Sequence, residues 1–141
     1  MRLKALATDT FVIVAVMDGD ICPVESFLTS DDKQTKSAGA GFFHMLVHIA
    51  EHGFQAIPPG WSHEANKELG IYQLTKGDFR LFYFKGIGKQ IAVCSDVTRK
   101  LGRKADPASV QKAARYKQEY FDAHATNNLI LIDDDETEQK P

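Results

Sequence analysis

The chain has 141 residues, enough for one domain with a real core and too few for two. At 43% hydrophobic and 26% charged it has an ordinary soluble composition. No apolar run is long enough to span a bilayer, and MRLKALATDT has no secretory core, so neither membrane insertion nor export is expected. The net charge of −2 argues at first against a nucleic-acid binder, but the charges are unevenly spread. Asp133 to Glu138 holds five acids, and without residues 133–141 the chain carries 16 Lys+Arg against 14 Asp+Glu. Lys76 to Lys117 holds 11 basic residues and three acidic ones. A basic half with an acidic tail is a pattern of polyanion binders, although a solvated charged face gives the same count.

In chain order, residues 10–16 (TFVIVAV) are β-branched and apolar and predict a buried strand. Met17 to Asp20 is a turn. Pro23 opens a short helix with Val24, Phe27 and Leu28 on one face. Ser30 or Asp31 is the expected N-cap of a longer helix whose inner face is Phe42, Met45, Leu46 and Ile49. Gly39 and Gly41 weaken its middle, and Gly53 fits the position just past its end. Residues 61–69 read as a linking loop or short helix. Three β-like runs follow, Ile71–Thr75, Phe79–Phe84 and Ile91–Val97, separated by Lys76-Gly77-Asp78 and Gly86-Ile87-Gly88. Short turn-rich gaps make them an antiparallel meander. Asp106-Pro107 caps a last helix whose inner face is Val110, Ala113, Lys117, Tyr120 and Phe121. Asn127-Asn128 ends that helix, and Leu129–Ile132 could add an edge strand or dock on the core. Residues 133–141 then read as an acidic disordered tail behind a single domain of residues 1–132.

Two local patterns suggest chemistry and do not carry it. His44, His48 and His52 lie four apart, and His48 to His52 matches a His-x-x-Glu-His zinc motif. Such pairs arise easily on polar helix faces, no third ligand is apparent, and no metal or other cofactor is expected. Cys22 and Cys94 are far apart and form no metal or redox motif. They read as free thiols of a cytoplasmic protein, with a disulfide left open by the sequence.

One residue of the meander is out of place. Phe79, Leu81 and Tyr83 share one face of the middle strand, and Arg80, Phe82 and Phe84 share the other. An arginine on an aromatic face needs a partner. It is either paired with a carboxylate or snorkelling at a sheet edge, or it is an anion site on an open sheet face, where its planar fork suits phosphate.

The segment IYQLTKGDFRLFYF, with Gly77-Asp78-Phe79-Arg80 opening the middle strand, resembles the central hairpin of the RelE/ParE toxin superfamily. VTRKLGRKADP followed by a helix resembles the basic region of the HigB-like, phage-derived branch. The resemblance covers about Phe11 to Tyr120. It implies a compact α+β fold in the order strand, helix, helix, three-stranded antiparallel meander, helix. It also implies a type II toxin that cleaves mRNA on the ribosome, without metal, by attack of a ribose 2′-OH on the adjacent phosphate. A small antitoxin, of helix-turn-helix type, would be its partner. By resemblance Arg80, Arg99 and Lys100 contact the scissile and flanking phosphates, and His63 is a candidate for proton transfer. Lys67, Lys76, Arg103 and Lys104 are expected to grip RNA. Tyr116, Tyr120 and His124 are further acid or base candidates. Thr75 and Ala105-Asp106-Pro107 depart from the family pattern. Those departures keep two alternatives open: a ParE-like gyrase poison and a non-catalytic, phage-derived binding module.

Overall fold

The β-branched run after Thr10 does form a strand, and it is not the first one. The computed structural model describes residues 1–100, 102 and 104–132, so the acidic tail and Arg103 lie outside the described residues. Its strands are β1 (Arg2–Thr8), β2 (Val12–Val16), β3 (Ser62–Asn66), β4 (Ile71–Lys76), β5 (Phe79–Phe84), β6 (Gln90–Arg99) and β7 (Ile130–Ile132). The helices are α1 (Pro23–Leu28), α2 (Lys36–His52) and α3 (Pro107–Ala125), with a single 3₁₀ turn at Phe54–Ala56. The molecule is mixed α+β, with one seven-stranded sheet in the order β3-β4-β5-β6-β2-β1-β7. β3 through β6 run antiparallel, and β2 returns parallel to β6. Among the described residues no helix is long and apolar enough to cross a membrane.

The α+β class is as expected, but the sheet has seven strands where one strand and a three-stranded meander were expected. Three strands extend that set. β1 pairs with β2, and β7 pairs with β1, the first of the two roles open to Leu129–Ile132. β3 replaces the loop or short helix expected at residues 61–69. Its sequence, SHEAN, has no apolar alternation, and pairing with β4 alone makes it a strand.

Helices cover both faces of the sheet. α1 and α2 pack on the face that carries Ile13, Leu74, Leu81 and Tyr83. α3 packs on the face that carries Val14, Ile71, Phe82, Phe84 and Val93. All six residues of β5 are buried as a result. Between Phe82 and Tyr83 the register with β6 slips, so Phe82 faces Asp96 and Tyr83 faces Cys94. That bulge switches the alternation and keeps both Val97 and Cys94 on the α1/α2 face. Both cysteines are free and buried.

Local signals place several of the joints. Gly77 takes a positive φ of 57° at the first central position of the β4–β5 turn, which suits a two-residue hairpin. Asp106 caps α3, accepting from Ala108 N at 3.2 Å and Ser109 Oγ at 3.0 Å, with Pro107 in the first turn. α2 starts later than expected, at Lys36. Ser30 and Asp32 instead accept backbone N–H groups of Asp32 and Gln34, which builds turns before the helix. Gly39 is less a weak point than a contact. A Cβ there would lie 2.7 Å from Phe27 O, so glycine is what lets α1 and α2 approach.

Candidate nucleic-acid interface

The register of the meander gathers cations at one end of the sheet. Lys76 pairs with Phe79, and Phe79 with Arg99, so Lys76 and Arg99 flank one ring on one face. Two strand spacings put their Cα atoms about 10 Å apart. Both side chains are exposed. The Arg99 guanidinium lies 4.7 Å from the centre of the Phe79 ring, which fixes its direction without consuming its donors. The Lys76 stem lies against Gly41 of α2, where a Cβ would come within 2.5 Å of Lys76 Cε. Lys100 continues the rim, and its backbone N–H donates to Asp78 O at 2.5 Å. Lys104 is exposed a few residues further on.

Arg80 is not on an open face. It is 3% exposed, and its fork is directed at the backbone: Nη1 donates to Lys104 O at 2.6 Å and Nη2 to Gly102 O at 2.7 Å. The expectation of an open anion site fails because α3 and the segment leading into it cover that face of β5. Nor does the side chain snorkel to solvent at a sheet edge: it is buried, and its fork donates to backbone carbonyls, a kind of partner the sequence reading did not weigh. Arg80 thereby fixes the backbone that carries Lys104.

The other candidates scatter. Lys67 is exposed in the turn joining β3 to β4, at the opposite end of β4 from Lys76. His63 is exposed on β3, with Nε2 3.0 Å from Gly60 O. It pairs with Gln73, which pairs with Phe82, so it shares the face of Arg80. Two strand spacings and two residues of rise separate their Cα atoms by about 12 Å. Tyr120 is buried on α3, donating to Gln90 Oε1 at 2.6 Å and accepting from Ile87 N at 3.1 Å. Burial raises its pKa, and it serves to anchor the β5–β6 connection. Tyr116 is half-buried, and His124 is exposed at the far end of α3. Among the described residues no group of three or more His, Cys, Asp or Glu is placed to hold a metal ion.

A neighbouring cluster went unnoticed in the sequence. The half-buried Trp61 sits beside two histidines of α2, His48 at 5.2 Å and His44 at 6.3 Å between ring centres. The only signal was the stripe of histidines itself. No family model matches the chain, and no curated protein matches it either.

Proposed function

We propose that this protein is a RelE-like toxin of a type II toxin–antitoxin system that grips messenger RNA on the ribosome and cleaves it. The observation that carries the reading is the rim of exposed cations, Lys76, Arg99, Lys100 and Lys104, on a meander of the order the resemblance implies. β1, β3 and β7 are additions to that frame. Arg99 and Lys100 are the phosphate-binding groups, close enough together for adjacent phosphates of one strand. The reaction is attack of a ribose 2′-OH on the adjacent 3′ phosphate: the P–O2′ bond forms as the P–O5′ bond breaks, the hydroxyl proton passes to water or a nearby base, and the departing 5′ oxygen takes up a proton, leaving a 2′,3′-cyclic phosphate and a 5′-OH. Cations stabilise the charge that builds on the phosphoryl oxygens, and no metal takes part. Arg80 is a positioning residue in this scheme, because its donors hold the backbone that presents Lys104. His63 transfers a proton only if the RNA runs from the rim along the β3 edge. A small helix-turn-helix antitoxin covers the rim in the growing cell.

One observation favours a second reading, a binding module without catalysis: both Nη groups of Arg80 are already engaged by carbonyls. Induction in bacteria with mapping of cellular RNA ends separates the readings. Cuts within translated codons support the nuclease. A DNA-damage response without cuts points to a gyrase poison, and neither effect leaves the binding module. Co-expression with a neighbouring gene is expected to yield a stable complex. A harmless chain with no binding neighbour removes the toxin–antitoxin reading.

A further inference from the structure

We propose that Trp61, with the edge of α2 that carries His44 and His48, is a base-stacking subsite for single-stranded RNA beside the cationic rim. It rests on the RNA-binding part of the reading above. The first support is placement. Trp61 O accepts from Thr75 N at 3.2 Å, which ties the indole's backbone to the residue just before Lys76. The second is the helix stripe. Gly41, His44 and His48 are three and four residues apart and share one side of α2. The Lys76 stem lies on the first of them and Trp61 beside the other two. One to two helical turns, about 5–10 Å, therefore separate a phosphate-binding ammonium from an indole. One short oligonucleotide can touch both.

The third support is the state of the indole. Trp61 is half-buried, and neither imidazole lies flat on it, the interplanar angles being 71° and 67°. A partly exposed aromatic side chain beside a row of cations is the combination that binds single strands with little base preference. Phe43, exposed at 46% on the outer side of α2, adds apolar surface to the same helix. A duplex keeps its bases stacked internally and cannot offer one to the indole, so single-stranded RNA is the occupant the geometry selects.

The chain contains one tryptophan, so its emission reports on this place alone. The test titrates the whole protein with a short mixed-sequence single-stranded RNA and with the same sequence as a duplex, following tryptophan emission and, separately, anisotropy of labelled RNA. The expected result is quenching by the single strand at saturation and much weaker quenching by the duplex. Trp61→Leu, which keeps an apolar side chain, should weaken single-strand binding about tenfold, and Trp61→Phe much less. Binding by anisotropy with unchanged emission and unchanged affinity of Trp61→Leu overturns the subsite and leaves the rim as the RNA site. Equal quenching by duplex and single strand overturns base stacking. Absence of binding in both assays overturns the RNA reading itself. Emission of the unmodified protein decides the matter even if the variants fail to fold.

Discussion

Replacing Arg80 with alanine tests whether this arginine serves the fold or the RNA. The side chain is 3% exposed and makes charge-assisted bonds to Lys104 O at 2.6 Å and Gly102 O at 2.7 Å. Hydrogen bonds to a charged group are worth about 1.5–3 kcal/mol each. The freed carbonyls are only partly buried and regain some water, which favours the lower end, or about 3 kcal/mol for the pair. The volume vacated by the arginine stem adds to this. For a domain of this size about 3 kcal/mol corresponds to a fall of roughly 10 °C in Tm. Arg80→Lys keeps the charge and loses the fork, so it is expected to recover about half of the loss. The assay is urea unfolding of both variants, with RNA binding and ribosome-dependent cleavage measured per folded molecule at low temperature. The reasoning is refuted if Arg80→Ala unfolds at the midpoint of the unmodified protein while cleavage collapses. That result would mean that the guanidinium is spent on a phosphate and not on the loop.

Stability is expected to fall as pH rises above about 9. Burial pushes the thiols of Cys22 and Cys94 up, and the Tyr83 hydroxyl up to about 12, so the unfolded chain loses these protons first. Groups raised in the folded state contribute fully below their unfolded values, and the contribution is lost on the way up. Tyr83→Phe should flatten the part of a urea-midpoint profile above about pH 10; an unchanged slope there contradicts the assignment. Gly39→Ala should destabilise by about 1–3 kcal/mol, outweighing the better helix propensity of alanine. The added Cβ meets the backbone of α1 at 2.7 Å, and equal or greater stability by denaturant unfolding would show that α1 can move away. Deleting residues 133–141 should tighten RNA binding, most at low salt, because five tethered acids compete for the rim. Equal low-salt affinity with and without the tail would show that the acids do not reach the cations.

Local signals in the sequence found the joints of the fold, and non-local ones were beyond it. Gly77-Asp78 between aromatic and β-branched runs, Asp106-Pro107 before α3 and Asn127-Asn128 after it act through their own backbones. β3 was invisible because its side chains are polar on both sides and only pairing with β4 creates it. β1 lay in a stretch tested as a leader rather than as a strand. Its buried Lys4, 3.9 Å from Glu25, also breaks the apolar pattern of an inner strand. The rim was legible as a run of charges. Which of its members stay exposed was not, since that depends on what covers each face.

Arg80 and Arg99 show why. They lie on neighbouring strands, and Arg80 pairs with Thr98, one residue from Arg99. One step along β6 reverses the face. Arg99 therefore emerges on the side of Phe79, with its guanidinium over that ring and exposed. Arg80 emerges on the side of Phe82, under the segment that leads into α3, and its donors go to carbonyls 22 and 24 residues away. A motif that singles out the middle-strand arginine thus identifies the residue that shapes the rim. On the function proposed above, the residue that meets the phosphate is its neighbour on β6. On this geometry an exchange of lysine for arginine should be tolerated better at position 99, where a point charge still attracts phosphate, than at position 80, where only a fork reaches both carbonyls.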